Sequence, residues 1–165
     1  ILPQTWMGNL LGSVFVALLY CWGSGSLLPV DSSLVHTVAL AKTSQSAMAL
    51  FFKGALCNWL VCLAIWMAIR TEGAAKFIAI WWCLLAFIAS GYEHSVANMT
   101  LFALSWFGHH SDAYRLAGIG HNLLWVTLGN TLSGVVFMGL GYWYATPQSE
   151  RPAPEKTNET KSLAQ

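Results

Sequence analysis

Hydrophobic residues fall into four long blocks along the chain, separated by short polar segments. The first, second and fourth blocks cover residues 5–23, 47–69 and 122–145. Each is long enough to cross a hydrocarbon core of about 30 Å, which takes roughly 20 helical residues. The third block, residues 77–107, would measure about 46 Å as one straight helix at about 1.5 Å per residue. The pattern predicts an all-α polytopic membrane protein with four spans, the third of which is too long for one straight helix.

A polar interruption, SGYEHSVANM, divides the third block after Ala89. Glycine, serine and asparagine are poor residues for the interior of a helix. We therefore predict that the third span is broken at residues 90–98 into two shorter helices. Backbone without helical structure is tolerated at membrane depth only where it is buried in protein or lines a cavity, so the break indicates a pathway.

The composition agrees with a chain that lies mostly in the lipid bilayer. Hydrophobic residues make up 56% of the chain, charged residues 9%, and the mean hydropathy is +0.53, whereas soluble domains contain about 25% charged residues. The net charge of +1 and the scattered basic residues argue against a nucleic-acid partner. Residues 1–145 are predicted to form one transmembrane domain. Residues 146–165 are polar, contain prolines and lack an apolar period, which predicts a disordered tail.

Lysine and arginine residues outside the blocks predict the orientation in the membrane. One side would carry Arg70, Lys76, Arg151, Lys156 and Lys161, and the other side Lys42 and Arg115. Because basic residues concentrate in cytoplasmic loops, the larger set, and with it the tail, is predicted to be cytoplasmic. Residues 24–46 and 108–121 then form outward loops, and the chain begins on the cytoplasmic side.

A short internal repeat links the first block to the fourth. GNLLGSV covers residues 8–14 and GNTLSGV covers residues 129–135, so glycine, asparagine, leucine and valine recur 121 positions later. The fourth block comes three spans after the first, and this odd step makes the matched helices antiparallel, as in the inverted-topology repeats of transport proteins. The opening of the first repeat is not in the sequence and residue 1 is not methionine. We therefore expect an N-terminally truncated chain.

Three segments together resemble the formate/nitrite transporter family: KGALCNWLVCLAIWM, FIASGYEHSVANM and TLGNTLSGVVFMGLGYWY. Among its members the sequence is most similar to the bacterial nitrite transporters. The resemblance implies an aquaporin-like fold with an inverted three-plus-three helix repeat, of which this chain would hold the last four helices. It also implies a homopentamer in the bacterial inner membrane that passes small monovalent anions, most of all nitrite, without enzymatic activity or a cofactor.

The resemblance also assigns roles to individual residues. The central pore histidine of the family corresponds to His94, and its neighbouring acid to Glu93. A pore asparagine corresponds to Asn58, a vestibule lysine to Lys42 and an aromatic constriction to Phe87.

Physical reasoning supports an anion site at the break. An anion that enters a dry constriction loses its hydration, at a cost of tens of kcal/mol for an isolated charge in a low-dielectric medium. The half-helix that begins near Ser95 to Asn98 is expected to offer free backbone amides and the positive end of its dipole. His94, with an ordinary pKa near 6.5, can donate a hydrogen bond or a proton. Because Asn98 lies at the start of this half-helix, it is also included among the predicted pathway residues.

Several of these residues also have a structural interpretation. Glu93 need not face the same way as His94, and it could instead pair with backbone amides or with a lysine of another helix. Asn58 could form a hydrogen bond between helices. Lys53 lies near a helix end, where we expect it to extend to the membrane interface.

Small and sulfur-containing residues are predicted to pack. Glycines can allow close contact between helices, and those concerned are Gly8, Gly12, Gly129 and Gly134. The cysteines lie in apolar runs without the spacing of a metal site, and they are Cys21, Cys57, Cys62 and Cys83.

Alternative functions remain open from sequence alone. Within the family the anion could be formate or hydrosulfide, because the preference for nitrite depends only on the resemblance. Outside it, the chain could be a haem-binding membrane anchor with ligands among His36, His94 and His121. It could also be a structural membrane protein whose broken helix only packs.

Overall fold

The computed structural model describes residues 2–24, 34–108 and 110–147, and within these ranges all regular structure is helical. The helices are α1 (Leu2–Ser24), α2 (Leu34–Thr43), α3 (Ala47–Arg70), α4 (Gly73–Ala89), α5 (Ser95–Phe107), α6 (Leu116–Leu132) and α7 (Gly141–Ala145). A π-helical segment, Ser133–Leu140, joins α6 to α7 without interruption. The prediction of an all-α protein is confirmed. The predicted tail falls outside the described residues from position 148 onward.

Three continuous helices are long and apolar enough to cross a membrane, namely Leu2–Gly23, Ala47–Arg70 and Leu116–Ala145. Between the last two, the apolar α4 and α5 contain only 17 and 13 residues. Residues 90–94 separate them. The interruption that the sequence placed at residues 90–98 is thus shorter than predicted, and α5 already begins at Ser95.

The end of α4 shows why the chain breaks where it does. Gly91 has a φ of +64°, a left-handed conformation that favours glycine. The Tyr92 N–H donates to the Phe87 carbonyl and the Gly91 N–H to the Ile88 carbonyl, both at 3.1 Å. This pair of bonds is the Schellman motif that ends many helices. The SGY sequence therefore stops α4 and redirects the chain.

The segment predicted as an outward loop, residues 24–46, contains a helix that hydropathy did not predict. Helix α2 packs on α5 and buries His36 and Ala39. With half-buried Thr43, these positions follow three- and four-residue spacing, which gives a short helix one buried face. This helix places Lys42 beside the break.

Close contact between α3 and α6 depends on glycine. A Cβ atom added to Gly54 would lie 2.8 Å from the Val126 carbonyl oxygen, and one added to Gly134 would lie 2.7 Å from Asn58 Nδ2. A Cβ added to Gly129 would collide with the Phe51 carbonyl. The packing prediction is confirmed for Gly129 and Gly134.

The two glycines of the first copy of the repeat behave differently. At Gly8 and Gly12 an added Cβ would meet no atom within 4 Å in the described part of the chain. Both glycines lie on the exposed side of α1. Among the described residues, the predicted packing role is therefore wrong for this pair.

All four cysteines are free thiols inside helices. Cys57 and Cys83 are buried, whereas Cys21 and Cys62 are half-buried. This agrees with the prediction that they pack.

Candidate functional site

His94 lies in the break between α4 and α5, where it is the residue that precedes the first turn of α5. Its backbone is extended, with φ −115° and ψ 120°, and its side chain forms no cap bond to the helix. The Nδ1 atom is buried and has no hydrogen-bond partner among the described residues. The ring of Phe87, from the last turn of α4, lies 6.3 Å away between centroids. The break thus combines an unpartnered imidazole nitrogen with an aromatic neighbour.

An open cavity of about 410 Å³ lies on the His94 side of the break. His94 and Asn58, two of the predicted pathway residues, both line it. Its other polar lining residues are Thr5, Trp6, Asn9, Ser95, Thr127, Asn130 and Thr131. These side chains offer hydroxyl, amide and indole groups, and the described lining contains no carboxylate. Such a surface offers neutral hydrogen-bond donors and acceptors to a small polar ligand.

Asn130, which lies in α6, holds the break in place. Its Oδ1 accepts the Ser95 N–H at 3.0 Å. Its Nδ2 donates to the Gly54 carbonyl at 2.8 Å and to the Glu93 carbonyl at 3.1 Å. One buried side chain therefore ties α3, α6 and the start of α5 together. The sequence pattern indicates Asn130 only as part of the repeat, although an asparagine in an apolar block is itself a signal of a polar contact.

The backbone carbonyl of Asn130 forms a further contact between helices. It accepts the Nδ2–H of Asn58 at 2.7 Å, so the structural interpretation of Asn58 as a bond between helices applies. Because Asn58 also lines the cavity, the two interpretations are compatible.

The amides at the start of α5 are less available than predicted. The Ser95 N–H is taken by Asn130, and the Asn98 N–H donates to the His94 carbonyl at 2.9 Å. The N–H groups of Val96 and Ala97 precede the first bond within the helix and are the ones left for a ligand. Val96 lines the cavity beside His94.

Glu93 faces away from this cavity into a polar network. Its carboxylate is 1% exposed and lies 2.8 Å from Lys42 Nζ. The same oxygen, Oε2, accepts from Asn98 Nδ2 at 2.6 Å, and Oε1 accepts from Gln45 Nε2 at 3.2 Å. Of the two interpretations left open for Glu93, the geometry favours a structural partner for a lysine of another helix. Three predicted pathway residues, Glu93, Lys42 and Asn98, thus form a network that does not line the cavity.

Asn122, Gln45 and Lys53 extend the network beyond the predicted residues. Asn122 accepts from Asn98 at 2.9 Å and donates to the Lys42 carbonyl at 3.0 Å. Lys53 points toward the start of α3, as expected for a lysine near a helix end, but its Nζ donates to Gln45 Oε1 at 2.7 Å. It therefore ends on a protein acceptor.

The other two histidines considered as haem ligands are engaged elsewhere. His36 Nδ1 lies 2.9 Å from Ser105 Oγ and its Nε2 lies 3.2 Å from Ser111 Oγ. His121 Nε2 lies 3.3 Å from the Gln45 carbonyl. Both residues are in helices, α2 and α6, rather than in loops as predicted. No group of three or more His, Cys, Asp or Glu residues within the described ranges could hold a metal ion.

Comparison with known proteins gives concordant matches. A family model described as "Formate/nitrite transporter" matches residues 2–144. The nitrite transporter NirC of Salmonella typhimurium is 86% identical over 164 residues, which cover 99% of this chain and 61% of that protein. The chain therefore spans about three fifths of the length of this relative.

Two solved structures have the same arrangement of helices. A channel described as an "FNT family ion channel" is 90% identical, with a TM-score of 0.85, over 88% of this chain and 59% of that one. A "pentameric formate channel with formate bound" is 25% identical, with a TM-score of 0.69, over 84% of this chain and 62% of that one.

Proposed function

The chain belongs to the formate/nitrite transporter family, and from this membership we propose that it carries the pathway of a membrane transport protein for small monovalent anions. The proposed pathway passes the break between α4 and α5, with His94 as the residue that meets the anion. Phe87 narrows and dries the passage there, and Asn58 contributes an amide from the same cavity. Glu93 and Asn98 support the pathway from its other side.

The observation that carries the proposal is the unpartnered Nδ1 of His94. A buried polar atom without a partner costs about 1–3 kcal/mol, so native proteins rarely leave one unless it has a function. His94 precedes the first turn of α5, at the positive end of the helix, where the N–H groups of Val96 and Ala97 precede the first bond within the helix. A helix N-terminus favours an anion. An anion beside His94 would supply the missing partner.

The proposed mechanism is a transient change in the charge of the passenger. The anion pauses beside His94, which binds it through a hydrogen bond or transfers a proton to it. In the second case the imidazolium becomes neutral, the anion becomes a neutral acid, and the acid crosses the dry constriction beside Phe87 without the cost of an isolated charge. The acid releases its proton on the other side, and His94 takes up a new proton from the side on which the anion entered, so that one proton crosses with each anion.

Nitrite is the proposed substrate because the relative that is 86% identical is named a nitrite transporter. Formate is the second candidate, since a structural relative is named as a channel with formate bound; hydrosulfide has the same charge. The pentameric assembly named for that relative supports a proposed homopentamer. We also place the protein in the bacterial inner membrane, with the C-terminal tail in the cytoplasm, on the distribution of basic residues.

The test is nitrite flux into liposomes that contain the intact protein, measured across a pH series. We expect His94→Phe to lower the flux at least tenfold and to flatten its pH dependence. His110→Phe is the matched control, because His110 stacks on Trp106 at 4.6 Å and does not line the cavity. Unchanged flux and pH dependence in His94→Phe would refute the role of His94, and parallel assays with formate and hydrosulfide would decide the substrate.

A further inference from the structure

A second lysine lies on the Glu93 side of the break, and the mechanism above does not use it. Lys53 Nζ donates to Gln45 Oε1 at 2.7 Å. The other end of the same carboxamide, Gln45 Nε2, donates to Glu93 Oε1 at 3.2 Å. Gln45 therefore connects a cation to a buried carboxylate, and both contacts fix the orientation of its amide.

The charges of this group do not cancel. Glu93 contributes one negative charge, which Lys42 neutralises at 2.8 Å, and this is the only ion pair within the described ranges. Lys53 adds a second positive charge. The remaining partners are amides, apart from His121, whose ring nitrogen lies against the Gln45 carbonyl. With His121 neutral, the group carries one excess positive charge.

This excess charge lies on the Glu93 side of the break, and its helix contacts the residue that precedes His94. The Lys53 carbonyl accepts the Glu93 N–H at 3.4 Å, which holds α3 against the residue that precedes His94. Lys53 and Gln45 are both half-buried. An unbalanced charge in such a position is costly unless a counter-ion can reach it. A small monovalent anion in transit is a counter-ion of matching charge.

We propose that Lys53 is a second anion-attracting cation of the pathway, and that Gln45 is the positioning residue that holds it beside Glu93. The inference rests on the proposed function, because the anion it attracts is the one that passes His94. Lys42 is neutralised by its own carboxylate, so Lys53 supplies the net attraction. Its contribution should appear in the anion concentration that gives half-maximal flux and in the salt dependence of that value, and it should leave the pH profile unchanged.

The experiment measures nitrite flux against nitrite concentration at low and high ionic strength, with the intact protein in liposomes. For Lys53→Gln we expect the half-saturating concentration to rise about threefold or more at low ionic strength, since focusing by one sign of charge raises local ion concentrations by about tenfold or more. High salt should shrink the difference, because it screens partly exposed charges. Lys53→Arg keeps the positive charge and should leave the half-saturating concentration at its wild-type value. Lys76→Gln, which removes a lysine of α4 outside this group, should leave it unchanged.

Gln45→Glu provides an independent variant that keeps the lysine. Its new carboxylate would neutralise Lys53 and bring the group to zero net charge, so the same rise is expected, even where Lys53→Gln fails to accumulate. Because the new carboxylate replaces the amide that donates to Glu93, the melting temperature of this variant is measured alongside its flux. Unchanged half-saturation and salt dependence would overturn the inference while wild-type nitrite flux keeps the proposed function intact. A lower maximal flux at unchanged half-saturation would also overturn it, because a purely structural role gives that result. A wild-type protein that carries no small anion would refute the proposed function instead.

Discussion

Two neighbouring residues, Glu93 and His94, lie in opposite surroundings. Glu93 is almost fully buried, and both carboxylate oxygens accept hydrogen bonds. His94 lines a cavity, and its Nδ1 has no partner in the part of the chain that the structure describes. The extended backbone at the break directs successive side chains to opposite sides. The comparison teaches that one side of the break serves stability and the other side is left available for a ligand.

The strongest test of this contrast removes the carboxylate. Glu93→Ala would leave the Lys42 ammonium without its partner in a largely buried position, 18% exposed. Loss of one member of a buried ion pair costs about 3–5 kcal/mol. We expect a marked fall in the melting temperature of the detergent-solubilised protein. Glu72→Ala removes an exposed carboxylate that caps nothing and should change stability by no more than about 0.5 kcal/mol. Equal melting temperatures for the two variants would contradict the structural role of Glu93.

Asn130 extends the same contrast to the backbone of the break. Asn130→Ala would leave the Ser95 N–H and the carbonyls of Gly54 and Glu93 without their partner. Each unsatisfied buried group costs about 1–3 kcal/mol. We therefore expect the free energy of unfolding to fall by about 2–4 kcal/mol and amide hydrogen exchange at residues 93–96 to become faster. Asn9→Ala is the matched control, since Asn9 is the repeat counterpart of Asn130 and is exposed. If amide hydrogen exchange at residues 93–96 stayed slow in Asn130→Ala, the Asn130 side chain would not be what holds the break in place.

The contact between α3 and α6 allows a test with a smaller expected effect on stability. Gly129→Ala adds a methyl group where the Phe51 backbone already lies against α6. Overpacking of this kind costs about 1–3 kcal/mol, which a lower melting temperature would report. Gly8→Ala, at the matching position of the repeat, meets no atom within 4 Å in the described residues. Destabilisation by Gly8→Ala as large as that by Gly129→Ala would show that α1 is packed on a surface outside these residues.

The smallest expected effect on stability comes from the ligand side. His94→Ala removes a ring whose Nδ1 makes no hydrogen bond to the described protein, so only contacts such as that with Phe87 are lost. We expect a change below about 1 kcal/mol in thermal stability together with a large loss of nitrite flux. A loss of stability comparable to that of Glu93→Ala would remove the distinction between the two sides of the break.

Sequence analysis located the break because its signal is local. Ser90, Gly91 and Tyr92 follow an apolar run, and the left-handed glycine that ends α4 is what such a sequence favours. The position of His94 within the break followed directly. The surroundings of Glu93 did not, because adjacency constrains only the directions of the two side chains and says nothing about what surrounds each of them.

Local sequence is enough to show which segments are apolar enough for the membrane and where the third span is interrupted, since these properties depend on neighbouring residues. The packing of helix α2 on α5 and the fastening of the break by Asn130 depend instead on contacts between distant parts of the chain. So does the arrangement in which Lys42, Gln45 and Lys53 surround Glu93 on one side while His94 faces the cavity on the other. Asn130 meets Ser95 across 35 positions and Gln45 meets Glu93 across 48. Such contacts form only when helix packing excludes water and forces buried polar groups to find partners, a requirement that no local pattern records.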